Sequence, residues 1–221
     1  MANARIFVAK ENSLIYLITE GTTTAENFPK KKQEILQLVE AAVQINVSLI
    51  QLREKQLPAR LIFELTSKVV KITAHTKTKL LVNDRADVAL AAKADGVHLT
   101  AKSLPVKIIR NDFPKDFIVG FSAHTSEKAE IAQAQGADFV TFSPIFNSPD
   151  KGKPQGVAKL QEVCRRLENF PVLALGGIDE TNFAAVLKAG ASGIAAIRLF
   201  NNPNNLQATV EKLRLSTDKL Q

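Results

Sequence analysis

Three polar residues at the end of one apolar run could bind an anion. Gln51, Arg53 and Lys55 are spaced by two where the run Val47–Leu52 ends. If the chain stays extended there, alternate side chains point to the same side, and two cations beside an amide suit a polyanion such as diphosphate. A salt bridge with Glu54 is the alternative. We favour the diphosphate site, because three polar side chains facing inward need a ligand or water.

The next apolar run is followed by Asn83 and Asp84. Carboxylate oxygens are ligands that Mg²⁺ prefers, and an asparagine amide can hydrogen-bond a phosphate or a metal-bound water. An Asn or Asp that caps the following helix, Ala86–Ala92, is an equally ordinary explanation. The position of the pair at a third strand end favours Asp84 as a magnesium ligand.

Later strand ends carry histidines, a serine and a long loop. Ser122 and His124 share one face, and an imidazole near neutral pKa can move protons, although His124 could instead cap a helix. His98 alternates with apolar neighbours and is expected to be a satisfied core histidine. Ser148 and Lys151 lie in a stretch containing Pro, Gly and Ser that is typical of a mobile lid.

Two glycines and an arginine predict a monophosphate site. Gly176 and Gly177 follow the seventh apolar run, where glycine lets backbone N–H groups approach a phosphate closely. Arg198 follows the eighth run and can add a bidentate phosphate contact. Phosphate binding by the last two loops is common in (β/α)₈ barrels, so we expect these residues to act together.

An alternation of apolar runs and amphipathic helices positions these polar residues. It predicts eight parallel strands in a single (β/α)₈ TIM barrel of the α/β class, over residues 1–221. An open doubly wound sheet is disfavoured, because Gly21-Thr22-Thr23-Thr24 is not a dinucleotide fingerprint. The predicted strands are Leu14–Thr19, Val47–Leu52, Lys79–Asn83, Gly96–Leu99, Phe117–Phe121, Phe139–Phe142, Val172–Leu175 and Gly193–Ile197.

Composition restricts the classes of partner. The formal charge of +7 would attract phosphorylated small molecules. Nucleic-acid binding is disfavoured, because one Tyr and no Trp offer little surface for stacking bases. The densest basic run, Lys30–Lys32, is predicted in a loop before a helix.

Further features of the sequence bear on the cellular location and the assembly of the protein. The chain shows no targeting leader and no apolar run that approaches 18 residues, so we expect a cytoplasmic protein that does not associate with membranes. The single cysteine, Cys164, cannot form an internal disulfide and is expected to be buried. Assembly as a homo-oligomer is compatible with the sequence and stays open.

Seven short motifs occur in order along the chain. They are Gln51–Lys55, Val82–Arg85, Ala94–Leu99, Ser122–His124, Gly136–Phe139, Pro144–Phe146 and Gly176–Ile178. Together they resemble the thiamine phosphate synthase/TenI superfamily, and the likeness runs from about Leu14 to about Phe200.

The resemblance implies a reaction and a role for each matching residue. Synthases of this superfamily join hydroxymethylpyrimidine diphosphate to thiazole phosphate with release of diphosphate. By match, diphosphate would be held by Arg53, Lys55, Asn83 and Lys151, with Ser122 beside it and Gln51 near the pyrimidine. Asp84 would bind Mg²⁺, while Gly177 and the loop at Arg198 would take the thiazole phosphate.

Three departures from the superfamily pattern keep other functions open. Thr100–Ser103 contains no acid where synthases usually carry a second metal carboxylate, Asp150 replaces a lid hydroxyl, and Arg198 stands where a small hydroxyl residue is common. The alternatives are a TenI-type thiazole tautomerase, in which His124 would shuttle a proton without a metal, and a non-catalytic binder of thiazole or thiamine phosphate. The retained cations and Asp84 favour the synthase.

Overall fold

The computed structural model describes residues 13–149 and 152–218. Their eight parallel strands pair in chain order, and β8 pairs with β1 to close the barrel. The predicted fold class is therefore confirmed, while a single domain over all of residues 1–221 stays a prediction. The strands are β1 Leu14–Ile18, β2 Leu49–Leu52, β3 Lys79–Asn83, β4 Gly96–Leu99, β5 Ile118–Ala123, β6 Phe139–Phe142, β7 Val172–Leu175 and β8 Gly193–Ala196.

One helix follows each strand. The helices are α1 Phe28–Gln44, α2 Ala59–Thr73, α3 Ala86–Ala91, α4 Val106–Asp112, α5 Ser126–Ala134, α6 Gly156–Arg166, α7 Phe183–Lys188 and α8 Pro203–Asp218. Lys30–Lys32 lies in the first turns of α1 and not in a loop, because α1 begins at Phe28 with a proline in its first turn, where the fixed proline φ favours a helix. No helix of the described ranges is long and apolar enough to cross a bilayer.

Two apolar layers follow from the alternation of side chains along the strands. The barrel interior is filled by one cluster, whose buried members are Tyr16, Ile18, Leu49, Leu81, Ile118, Phe139, Leu173 and Ala195. A larger cluster joins the outer faces of the strands to the helices, to which α2 contributes Leu61, Leu65 and Val69. Cys164 packs against this layer but is only partly buried, because it lies on the side of α6 that the core does not fully cover.

Polar side chains join neighbouring strands at the N-terminal end of the barrel. The N–H of Ile15 donates to Ser48 Oγ at 3.2 Å. The N–H of Leu80 donates to Asp95 at 2.8 Å, and that of Val119 donates to Asp138 at 2.7 Å. The acids of the Ala94–Leu99 and Gly136–Phe139 motifs therefore stabilise the fold at the end opposite the chemistry.

Two strand ends bear on the site residues. β5 extends two residues beyond its predicted end, to Ala123, so Ser122 lies within the strand and pairs with Thr141 of β6. β2 ends at Leu52, as predicted, so the strand does not continue through Lys55 as a common face for Gln51, Arg53 and Lys55 would require. The N–H of Arg53 donates to Thr19 Oγ1 at 2.8 Å, so a side chain replaces the strand carbonyl as acceptor.

Candidate active site

Gln51 occupies the barrel interior, whereas the two cations after it lie at the rim. The Gln51 side chain is 2% exposed, and its Nε2 donates to the Tyr16 hydroxyl at 2.7 Å. Arg53 is half-buried and Lys55 is exposed. Neither cation forms an ion pair with a carboxylate among residues 13–149 and 152–218. Their charges are thus available to an anionic ligand.

Glu54, between the two cations, is buried and does not form the rim salt bridge weighed as an alternative. It accepts hydrogen bonds from Thr19 Oγ1 at 2.5 Å and from the N–H of Thr23 at 3.1 Å. A residue two positions after Leu52, on the side facing the helices, would normally be apolar. That exception was the sequence signal for a buried Glu54, which the sequence predicted only as a salt-bridge partner at the rim.

Asp84 is surrounded by hydrogen-bond donors. Its carboxylate accepts from Asn83 Nδ2 at 2.7 Å, from Thr100 Oγ1 at 3.0 Å and from Ser103 Oγ. Helix α3 is preceded by Arg85 as N-cap with no side-chain capping bond, so the capping alternative is wrong for Asn83 and Asp84. The β4–α4 loop contains no acid. It instead contributes two hydroxyl groups, which donate to the Asp84 carboxylate at the end of β3.

The oxygen atoms at and around Asp84 are of the type that binds Mg²⁺. One carboxylate and nearby hydroxyl oxygens are hard ligands, and Mg²⁺ in proteins often takes one or two carboxylates while waters and substrate phosphates complete its octahedron. No group of three or more His, Cys, Asp and Glu side chains that could hold a metal occurs within the described part of the chain. A cation at Asp84 would therefore depend on oxygens of the substrate.

Ser122 forms part of a buried polar group beneath the mouth of the barrel. Its Oγ lies 2.9 Å from Nε2 of His98 and 3.4 Å from Oγ1 of Thr141. His98 is 2% exposed, and the rings of Tyr16 and Phe139 lie 5.6 and 5.7 Å from its ring centroid. Desolvation lowers the pKa of His98 to about 3, with a smaller opposing effect from Asp84, so the imidazole is neutral near pH 7.

The burial of His98 confirms the prediction of a core histidine, but only half of its hydrogen-bonding capacity is used. Nδ1 has no partner among the described residues. The N–H or lone pair of Nε2 therefore determines how the Ser122 hydroxyl is oriented.

His124 is exposed at the mouth, and its tautomer follows from its neighbour. Nδ1 lies 2.8 Å from the carbonyl oxygen of Ser143. A carbonyl only accepts, so Nδ1 carries the proton and Nε2 is left as an acceptor in the neutral ring. Helix α5 is capped by Thr125, which accepts from the N–H of Lys128, so the alternative of a helix-capping His124 is wrong.

Glycine is required at positions 176 and 177 because the β6–α6 loop passes close to the backbone there. Both have positive φ, +98° and +67°, which glycine adopts without strain. A Cβ at Gly177 would lie 2.4 Å from the carbonyl oxygen of Asn147, and one at Gly176 would lie 2.9 Å from Pro144. The amide of Phe146 donates to the Gly176 carbonyl at 3.0 Å, so the start of the predicted lid runs along the β7 end.

The eighth strand end is organised by a residue that the sequence analysis missed. Asn201 Nδ2 donates to the carbonyls of Ile18 and Ile197, each at 2.7 Å, and so joins the ends of β1 and β8. Arg198 is exposed and has no ion-pair partner among the residues described. A polar residue shortly after an apolar strand was the available signal for Asn201.

The strand ends bring most of the predicted residues to one face of the barrel. Gln51, Asn83 and Ser122 come from the C-terminal parts of β2, β3 and β5, and the two glycines follow β7. Ser148 is half-buried in the β6–α6 loop. Lys151 and Asp150 lie outside the described residues.

Among residues 13–149 and 152–218, amides, hydroxyls, the Asp84 carboxylate and cations without ion-pair partners lie at the C-terminal ends of eight parallel strands, which is typical of barrel enzymes that handle phosphorylated compounds. The family model of thiamine monophosphate synthase matches residues 15–200. The chain belongs to this family.

Named relatives and a solved structure agree with the family assignment. The chain is 37% identical to thiamine-phosphate synthase of Roseiflexus sp. (strain RS-1), with 83% of this chain and 76% of that protein covered. It is 38% identical to thiamine-phosphate synthase of Caldanaerobacter subterraneus subsp. tengcongensis, covering 76% and 79%. Thiamine phosphate pyrophosphorylase from Pyrococcus furiosus superposes with a TM-score of 0.79 at 27% identity, over 95% of this chain and 98% of that one. The predicted family, synthase function and transferase class are confirmed.

Proposed function

We propose that the barrel transfers the pyrimidine methylene group of hydroxymethylpyrimidine diphosphate to the nitrogen of thiazole phosphate. The observation that carries the proposal is the pair of cations Arg53 and Lys55, free of carboxylate partners in the described ranges, at the same barrel end as Asp84 and the turn at Gly177. The C–O bond to the diphosphate breaks and its electron pair leaves with the diphosphate. The lone pair of the thiazole nitrogen then forms the new C–N bond.

Each residue at the diphosphate end has a role in stabilising the leaving group. Negative charge grows on the diphosphate as the C–O bond breaks, and Arg53 and Lys55 stand where that charge develops. Asn83 and Ser122 would donate hydrogen bonds to the same group, and Lys151 would add a cation from the lid. When bound at Asp84, Mg²⁺ would supply further positive charge to the diphosphate oxygens.

The remaining residues would orient the two organic parts. Gln51, held by Tyr16, would fix the pyrimidine above the neutral His98. The Gly177 N–H has no acceptor among the described residues. Together with Arg198 and the Ser148 side chain, it would hold the thiazole phosphate, and the β6–α6 loop would close over that phosphate. Binding both substrates as anions agrees with the formal charge of +7. The homo-oligomer stays a prediction that light scattering would test.

Purified protein with both substrates and Mg²⁺ tests the proposal directly. We expect thiamine phosphate and diphosphate in equal amounts, and Arg53→Ala is expected to lower kcat/KM by about 10²-fold, as loss of one charge-stabilising donor does. Arg60→Ala, at an exposed arginine in the first turn of α2, is the matched control and should retain activity. Absence of thiamine phosphate from the wild-type reaction would contradict the proposed function.

The metal assignment predicts a change in cation binding that is independent of turnover. Ser103→Asp places a second carboxylate beside Asp84, so we expect at least about tenfold tighter Mn²⁺ binding in the presence of inorganic diphosphate, since coordination by two carboxylates is common for such cations. Asp84→Asn should weaken it. Free Mn²⁺ measured by electron paramagnetic resonance gives the affinity, and Asp87→Asn, at an exposed acid held by Arg85, is the control. Equal affinities in all variants would remove Asp84 as ligand.

The tautomerase alternative has one supporting observation. With Nδ1 of His124 hydrogen-bonded to the Ser143 carbonyl, Nε2 is the ring nitrogen at the mouth that could accept a proton from a substrate carbon. Incubation with thiazole carboxylate phosphate alone would test it. Isomerisation that is unchanged in His124→Ala would exclude this histidine as the proton carrier.

A further inference from the structure

Glu54 is a buried acid that no role in the proposed reaction explains. Its side chain is 5% exposed although it lies between the rim cations Arg53 and Lys55. Burying a carboxylate is costly unless donors replace its water. Here the hydroxyl of Thr19 and the N–H of Thr23, both from the β1–α1 loop, provide the replacement.

Thr19 connects this acid to the backbone of Arg53. The Thr19 hydroxyl has one proton, which it donates to Glu54 Oε1 at 2.5 Å, so its lone pairs are free to accept the Arg53 N–H at 2.8 Å. The Thr19 N–H also donates to the Gln51 carbonyl at 3.0 Å. Three hydrogen bonds therefore determine the path of the chain where it leaves β2.

The β1–α1 loop also touches the guanidinium of Arg53. A Cβ at Gly21 would lie 2.7 Å from the Arg53 carbonyl oxygen and 2.8 Å from its Nη1, and Gly21 has a φ of +78°. The other side of this loop borders a cavity of about 210 Å³, lined in part by Thr22, Thr23 and Glu54. Packing does not fill the space at this cavity, and the hydrogen bonds of Thr19 and Thr23 to Glu54 contribute to holding the loop against Arg53.

We propose that Glu54 is a positioning residue for diphosphate binding. Through Thr19 and the β1–α1 loop it holds Arg53, and with it Lys55, in the direction of the barrel mouth. The inference rests on the proposed function for the identity of the anion. Although Glu54 lies in sequence between two cations that bind the anion, its carboxylate is turned away from them and accepts hydrogen bonds from the β1–α1 loop.

Binding of inorganic diphosphate, measured by calorimetry, tests the proposal without turnover. We expect Glu54→Ala and Thr19→Val to weaken diphosphate binding at least about fivefold and to raise KM for the diphosphate substrate, with KM for thiazole phosphate unchanged. Thr19→Ser keeps the hydroxyl and should restore near wild-type binding. Asp95→Ala, which removes a hydrogen-bonded acid at the opposite end of the barrel, is the control for lost stability and should bind diphosphate normally.

Hydrogen exchange of the Arg53 amide provides a second measurement that needs neither substrate nor activity. We expect this amide to exchange at least about tenfold faster in Glu54→Ala than in the wild type, while the amides of β6 keep their protection. Wild-type exchange in Glu54→Ala, or diphosphate affinity no lower than in Asp95→Ala, would overturn the inference. If the wild type bound no diphosphate, the proposed function would fail, and the exchange experiment would still decide whether Glu54 positions Arg53.

Discussion

Individual polar residues in this barrel are oriented by neighbours from other strands and loops. Asp84 is held by hydroxyls of the β4–α4 loop, and Ser122 is held by the buried His98. Gln51 is fixed by the hydroxyl of Tyr16, whose pKa burial raises well above the ordinary value. Side chains oriented in this way lose little further conformational entropy when a substrate binds.

The neutral state of His98 makes stability depend on pH. Its pKa is about 3 in the folded protein, below the unfolded value of 6.5, so below pH 6.5 the unfolded chain binds a proton that the folded chain does not. The contribution of His98 is complete above pH 6.5, and its loss on acidification amounts to about 1.4 kcal/mol per pH unit between pH 6 and 4.

Urea denaturation at several pH values would measure this contribution. His98→Gln should flatten the decline in the free energy of unfolding between pH 6 and 4 relative to the wild type. His75→Asn, at an exposed histidine with a φ of +63° that asparagine tolerates, should leave the slope unchanged. Parallel wild-type and His98→Gln curves would contradict the prediction.

At the scale of elements, the two ends of the strands have separate tasks. The N-terminal ends are joined by acids, of which the buried Asp138 accepts from Val119 N–H and pairs with Arg110 at 2.6 Å. The C-terminal ends carry the polar groups proposed to bind substrate. This division predicts which substitutions change stability and which change binding.

Asp138→Ala should lower stability and leave substrate binding intact. It leaves Nη2 of Arg110 and the Val119 N–H without their acceptor, and loss of one partner from a largely buried pair costs about 3 kcal/mol. Chemical denaturation would measure the change. Glu130→Ala, which breaks an exposed pair with Arg166, is the control and should cost less than about 1 kcal/mol.

Gly177→Ala should act on the phosphate loop. The new Cβ would meet the Asn147 carbonyl at 2.4 Å, so the β6–α6 and β7–α7 loops must separate, and we expect a rise of about tenfold in KM for thiazole phosphate. Gly190→Ala also places a side chain at a positive φ, +95°, but it lies where α7 leads into β8 at the opposite end. It should cost stability without changing KM, and equal KM values in both variants would count against the assignment.

At the scale of the whole molecule, net charge favours the capture of two anionic substrates. The formal charge of +7 is that of the chain as a whole, and salt screens it over about 8–10 Å at physiological ionic strength. Steady-state kinetics should therefore show kcat/KM for both substrates falling several-fold between about 50 and 500 mM salt, while kcat at saturation changes little. A kcat/KM that does not depend on salt would show that local contacts alone attract the substrates.

The sequence by itself determined the eight strands to within three residues at each end, because apolar runs and helical periodicity are local properties of the chain. It also placed Asn83, Ser122 and Gly177 at strand ends that a closed barrel brings to one face. It could not show what holds the chain after β2, since the acceptor of the Arg53 N–H is Thr19, far away in the chain.

Only the tertiary structure decided which polar groups serve as partners for one another. Glu54 turns from the rim to the β1–α1 loop, Thr100 and Ser103 turn to Asp84, and Asn201 joins the first strand to the last. These contacts form between loops that are adjacent only once the barrel closes. Side-chain hydrogen bonds of this kind form only when the donor–acceptor distance is correct to within a few tenths of an ångström. The spacing of residues along a sequence does not encode that distance.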